Sequence, residues 1–383
     1  PSAPSAPSAL AENRRPRPLR LDLENQRKQA RSLLKAARAG DARALRRLAA
    51  VHPRIHSDSS AAAARLRWSL HHAQLVIARE RGFKSWAKLK AHIEADNVSV
   101  RGALVGAVNR ALETDTDQPL FVDPLARSLA GKKGRALHEE LRSTTWPPYT
   151  AGPPPEQSIL TRYYDDALQA AVSELSLTQV VLLGGGMDAR AFRLRWPAKL
   201  VFFEVDDGAV FEHKEPVLRR RRAKPACDRR IVRANFPSAW TAKLLAAGFD
   251  ARRAAAFLIP TWLVYFDAAT VDRLFRELRE IACAGSWLGV DFFSADTIES
   301  PFMQPFFAKL AALGYPACRF GVRHPETFLA EQGWHAECVV LGGPEASYGR
   351  WRYGYTPRST PDRGIPRNYL AVARRMADKG KAR

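Results

Sequence analysis

Residues 182–193 read LLGGGMDARAFR, and residues 199–206 read KLVFFEVD. Three consecutive glycines after an apolar run let the backbone approach a ligand that any side chain would exclude. Gly184, Gly186 and Ala189 also fit G-x-G-x-x-A, with acids about twenty residues on, so a dinucleotide site is open on this spacing alone. In an extended strand Glu204 and Asp206 share one face, two residues apart. A carboxylate there can accept hydrogen bonds from both hydroxyls of a ribose. Asp188 stands in the first turn of the helix expected over DARAFRLRW, where its charge would repel a pyrophosphate drawn to the helix amino end. S-adenosylmethionine has no phosphate and carries an ammonium and a sulfonium, so a glycine turn beside acids suits it better.

These residues need a frame to hold them. Strand-like runs at QVVLLG, KLVFFEVD, RIVRANF, AAFLIPTWLVYF and SWLGVDFFS alternate with helical runs. That alternation predicts an α/β fold, a mostly parallel Rossmann-like sheet with helices on both faces. The closing NYLAVARR reads as a strand at one edge. Helices are expected around 99–113, 119–130 and 159–175, broken by the proline-rich WPPYTAGPPPEQS. Ahead of this domain (98–383), residues 21–97 read as a small all-helical module, with Gly40 and Gly82 as helix stops and Asp41 as a cap. His71 and His72 are expected to face solvent there. Residues 1–20, opening PSAPSAPSA, read as a disordered tail.

The order and gaps of LTRYYDDAL, VVLLGGGMDARAFRL and VFFEVD resemble the leucine carboxyl methyltransferase-like family of class I, S-adenosylmethionine-dependent methyltransferases. DQPLFVDPLARSLAG, RANFPSAWTAKLLAAGFD and GIPRNYLAVARR extend the resemblance over roughly 99–376. It implies S-adenosyl-L-methionine as cofactor. Arg162 would bind the methionine carboxylate and Gly184, Gly185 and Gly186 would line the methionine moiety. Asp206 would hold the ribose with Glu204 in support, and Asn235 and Phe236 would meet the adenine. It also places Tyr265 near the transfer centre. One departure is Pro260, which stands where the family's EGLLMYL segment has its glutamate.

The reaction implied is methyl transfer to a carboxylate or hydroxyl of a small molecule or peptide. A carboxylate is already ionised at neutral pH, whereas a hydroxyl profits from a general base. No His–acid pair presents itself: His213 reads as solvated and His324 precedes a proline. This leans toward a carboxylate acceptor. Arg350 and Arg352 offer charge to an acidic acceptor, and Trp351, Tyr353 and Tyr355 an apolar wall. A nicotinamide oxidoreductase and a non-catalytic cofactor-binding protein are the alternatives.

Net charge is +21, more than half of it within residues 1–100, with a second cluster at Arg219 to Arg222. The front module is therefore a candidate recruiter of a peptide, while nucleic acid is not expected because no aromatic-interleaved basic stripe accompanies the charge. Cys227, Cys283, Cys318 and Cys338 lack metal-site spacing, so no metal and a reducing cytoplasm are expected. No apolar run approaches the roughly 18 residues of a membrane span.

Overall fold

The computed structural model describes residues 23–50, 67–95, 98–142, 152–234, 240–360 and 364–377. The chain divides into two compact units, Pro1–Ala95 and Asp96–Arg383. The expected tail over 1–20 lies outside the described residues.

In the first unit, α1 (Leu23–Arg38), α2 (Ala42–Ala49), α3 (Leu70–Glu80) and α4 (Trp86–Ala95) enclose a core of Leu33, Leu45, Leu48, Trp68, Val76, Ile77 and Leu89. Asp41 caps α2 by accepting the Ala44 N–H at 2.7 Å. At the start of α3, Ser69 and His72 form a reciprocal cap, the His72 Nδ1 accepting the Ser69 N–H at 3.2 Å. His72 also meets the Trp68 ring edge-on at 5.6 Å. The expected solvent-facing pair is thus half right: His71 is exposed, but His72 is half-buried and holds the helix start.

The second unit opens with α5 (Val98–Thr114), α6 (Ala126–Arg142) and α7 (Pro155–Glu174). The helix expected at 119–130 begins only at Ala126 and runs on to Arg142, kinked at Gly131, whose φ is 60°. A seven-stranded sheet follows, ordered β3-β2-β1-β4-β5-β7-β6. Its strands are β1 (Gln179–Leu183), β2 (Val201–Asp206), β3 (Asp228–Arg233), β4 (Ala256–Ile259), β5 (Trp287–Phe293), β6 (Trp334–Val340) and β7 (Asn368–Arg375). The pairs among β1 to β5 are parallel, and β7 runs antiparallel to both β5 and β6.

Successive strand residues point to opposite faces, and both faces are covered. Val180, Leu182, Phe202 and Leu258 pack with Ile159, Tyr164 and Leu168 of α7. Val181, Leu183, Phe203, Phe257 and Val290 pack on the other face, with Trp240 and Leu244 of α10 (Trp240–Ala246) and Leu274, Phe275 and Leu278 of α11 (Ala268–Ile281). This is why the central strands read as unbroken apolar runs.

Three expectations change in detail. The run AAFLIPTWLVYF is not one strand: Pro260 brings no N–H to the ladder, β4 stops at Ile259, and a single 3-10 turn forms over Leu263–Tyr265. The closing strand β7 is internal, its residues largely buried, and the sheet edge falls to β6, where WHAECVV is only partly covered. The helix expected over DARAFRLRW is one turn, α8 (Arg190–Arg193). Among the described residues no helix is long and apolar enough to cross a membrane.

Candidate functional site

The order β2-β1-β4 places the winding reversal between β1 and β4, and a crevice at such a reversal, beyond the carboxyl ends of the strands, is where α/β sheets bind ligands. The glycine turn leaves β1 there. Gly184 and Gly186 have φ of +65° and +58°, a region that favours glycine. A Cβ on Gly184 would lie 2.4 Å from the Trp262 ring, and one on Gly186 would lie 2.6 Å from the Ala103 Cβ. Gly185 is crowded in the same way by Leu182. The protein's own packing therefore demands these glycines, whatever ligand they meet.

Asp206 ends β2, buried, and fastens the turn. Its Oδ2 accepts the Gly186 N–H at 2.7 Å and its Oδ1 the Asp207 N–H at 2.7 Å. Burial pushes its carboxyl up to about 6 in spite of these bonds. An ionised carboxylate offers about four lone-pair positions, so two hydrogen bonds leave capacity for the hydroxyls of a sugar. Asp207 then caps α9 (Gly208–Arg220) through the Ala209 N–H at 3.0 Å.

The neighbouring acids are committed elsewhere. Glu204 receives Lys214 Nζ at 2.8 Å and the Arg229 guanidinium at 2.8 and 2.7 Å. Burial pushes its carboxyl up, but these two cations outweigh it and hold the group below its ordinary value. Glu204 shares Asp206's strand face as expected, yet its carboxylate ties α9 and β3 to β2. Asp188 accepts the Arg190 N–H at 2.7 Å and pairs with the same arginine's guanidinium. Burial raises it, and Arg190 and Arg110 bring it down to about 2. Asp188 thus anchors the turn and presents no uncompensated charge to a ligand, which removes the charge argument against a pyrophosphate.

Arg162 lies on α7, partly exposed. Its Nε donates to Asp166 at 2.7 Å and its Nη1 to the Leu120 carbonyl at 2.8 Å. Two bonds leave several of its five donors for an anion. Tyr265 closes the 3-10 turn after β4, and burial, with lesser contributions from Cys318, Tyr315 and Asp291, raises its hydroxyl far above its ordinary value. It can donate a hydrogen bond but is no base near neutrality. Asn235 and Phe236 lie outside the described residues.

His213 is half-buried rather than solvated, its Nε2 3.0 Å from the Leu129 carbonyl oxygen. His324 precedes the short helix Pro325–Glu331. Arg350 donates to Glu113 at 2.9 Å, and with Arg352, Thr116, Asp117, Gln118, Pro153 and Pro155 it lines a cavity of about 380 Å³. That volume is within the range of small-molecule pockets. Its charge is mixed, since Arg350 is paired and Asp117 shares the wall. Tyr353 and Tyr355 are exposed. Among the described residues no group of three His, Cys, Asp or Glu side chains could hold a metal.

Sequence reasoning passed over Asp291. This acid lies in the apolar β5 run WLGVDFF, 8 % exposed, and accepts the Thr261 N–H at 2.6 Å. Burial pushes its carboxyl up to about 7 despite that bond. Thr261 pays for the contact with a φ of +50°, rare for a β-branched residue. The visible signal was an acid inside a strand otherwise built of apolar residues.

Comparisons with known proteins identify the family. A family profile described as leucine carboxyl methyltransferase matches residues 103–279. A relative in Streptomyces coelicolor is 34% identical over 256 residues, covering 63% of this chain and 84% of its own. One in Streptomyces avermitilis is 33% identical over 287 residues, covering 70% and 93%. One in Mycobacterium tuberculosis is 33% identical over 258 residues, covering 62% and 81%. All three are assigned as S-adenosyl-L-methionine-dependent methyltransferases.

Two outcomes follow from the strained Asp291–Thr261 contact. Thr261→Gly relieves the left-handed strain and should raise the unfolding free energy by about 1 kcal/mol in denaturant titrations; an unchanged or lower value contradicts the strain. Asp291 has a folded-state value of about 7 against roughly 3.9 when unfolded. The folded protein therefore holds the extra proton between those values, and this group's contribution to stability declines as pH rises from about 4 through about 7. Asp291→Asn should accordingly gain on the parent protein across that window; a constant difference contradicts it.

Proposed function

The chain belongs to the leucine carboxyl methyltransferase family of S-adenosyl-L-methionine-dependent methyltransferases, and we propose that it methylates an oxygen, of a carboxylate or hydroxyl, on a small-molecule or peptide acceptor. S-adenosyl-L-methionine is its cofactor. The observation that carries the cofactor's placement is the Asp206 carboxylate, buried beside the glycine turn with acceptor positions to spare. That donor set fits a nucleoside: Asp206 takes the ribose hydroxyls, the turn at Gly184 to Gly186 lies against the methionyl part, and Arg162 meets its carboxylate. Asn235 and Phe236 complete the reading on the adenine side.

When bound, the cofactor supplies a methyl carbon activated by its sulfonium. The protein's part is orientation and exclusion of water, which can account for several kcal/mol of the barrier. Trp262, packed on Gly184 and edge-on to Phe266 at 4.9 Å, walls the crevice beyond β4. Tyr265 stays protonated and is suited to donate a hydrogen bond to the acceptor. The four cysteines are free thiols, in keeping with a cytoplasmic enzyme. The front module, with its basic surface, would recruit a peptide acceptor.

Calorimetry separates this reading from a nicotinamide enzyme. The protein should bind S-adenosylhomocysteine and not NAD or NADP, and Asp206→Ala should weaken the binding at least tenfold, about 1.4 kcal/mol. Binding of the dinucleotide, or an Ala variant of undiminished affinity, contradicts the assignment. For the module, deletion of residues 1–95 should raise KM for a peptide acceptor while leaving S-adenosylhomocysteine affinity unchanged; equal KM values would remove the recruitment role.

A further inference from the structure

Among the described residues of the second unit eight acids are buried, and most meet a cation. Glu113 meets Arg350, Asp123 meets Arg110, Asp165 meets Arg190 and Arg193, Asp188 meets Arg190, Glu204 meets Lys214 and Arg229, and Asp296 meets Arg323. Two are bonded only to backbone N–H groups: Asp206 and Asp291. A buried carboxylate without a cation is costly, and such a group at the ligand-binding end of a sheet is a functional-site candidate.

The places of the two acids are complementary. Across the order β2-β1-β4-β5, Asp206 ends β2, the glycine turn leaves β1, and Asp291 lies near the carboxyl end of β5. Three strand spacings separate β2 from β5, roughly 14 Å. That span has room for a nucleoside on the Asp206 side and an acceptor on the Asp291 side.

We propose that Asp291 takes the proton of a neutral hydroxyl on the acceptor, which makes the acceptor an alcohol or phenol rather than a carboxylate. This rests on the O-methyltransferase reading above. The acceptor oxygen forms its bond to the methyl carbon as its O–H bond breaks and the proton passes to Asp291. The carbon–sulfur bond breaks with its electron pair left on sulfur, giving a neutral thioether. Asp291 then releases the proton to water.

Three observations support the assignment. Among the described residues no charged group bears on Asp291: Tyr164 faces it from α7 and Tyr265 from the turn after β4, both protonated near neutrality, while the residue opposite on β7 is the apolar Leu370. The group's value near 7 suits a base that works at neutral pH. The strained Thr261 peptide directs its N–H at one carboxylate oxygen and so fixes the orientation of the other. A carboxylate acceptor would instead bring a second negative charge against a buried one, which disfavours both ionised forms.

The test uses the full chain loaded with S-adenosylhomocysteine and two matched probes, 2-naphthol and 2-naphthoate, at pH 8, where a phenol is still largely neutral. The parent protein should bind 2-naphthol at least tenfold more tightly than 2-naphthoate. Asp291→Asn, which keeps an acceptor for the Thr261 N–H, should bind 2-naphthoate at least fivefold better than the parent does. It should also form 2-naphthyl methyl ether from S-adenosyl-L-methionine at least a hundredfold more slowly. Preference of the parent for 2-naphthoate, an unchanged ratio in the variant, or binding of neither probe overturns the proposal. Failure of the parent to bind S-adenosylhomocysteine would instead sink the cofactor reading, and retained S-adenosylhomocysteine affinity in the variant shows that it is folded.

Discussion

The hydrogen bond from the Gly186 amide to the Asp206 carboxylate, 2.7 Å long, holds the site together. It joins the turn after β1 to the end of β2, and it needs both partners as they are. The turn takes positive φ at Gly184 and Gly186 and closes against Trp262 and Ala103, leaving no space for a Cβ. The carboxylate is buried and hydrogen-bonded to no cation, so its ionised form is favoured first by the Gly186 and Asp207 amides and then by the charge of Lys214. Because amides use only part of its acceptor capacity, the group that stabilises the turn is also the one that can clasp a sugar.

Around that bond the protein sorts its charges. Asp123, Asp165 and Asp188 pair with Arg110, Arg190 and Arg193, and Glu204 pairs with Lys214 and Arg229. Such clusters contribute little net stability compared with apolar packing, but breaking one leaves an uncompensated buried charge. They fix α8, α9 and β3 relative to the sheet. Asp206 and Asp291 stand out against this background because nothing cationic meets them directly.

Much of the frame was legible in the residue pattern. Strands of the parallel sheet are buried on both faces, so VVLL, VFFEVD and AFLI announce themselves as apolar runs, and the glycine turn lies between two of them. What pattern could not give was partnership. Glu204 and Asp206 share a face by strand periodicity, yet only the folded chain brings Lys214 and Arg229 to one and leaves the other to backbone amides. The same holds for Asp188, which pairs with an arginine two residues on. Pro260 was visible as a departure from the family's glutamate, and its consequence is local: β4 ends, Thr261 turns left-handed and its N–H meets Asp291 on the next strand. Strand order was beyond reach as well, since β7 closes the chain but not the sheet.

The most direct test of the central claim is a crystal structure of the full chain with S-adenosylhomocysteine. Both ribose hydroxyls should lie within about 3 Å of the Asp206 carboxylate oxygens, with the thioether over Gly184 to Gly186 on the β4 side. A nucleoside found in the cavity beside Arg350 and Arg352, or one whose ribose faces away from Asp206, would contradict the account.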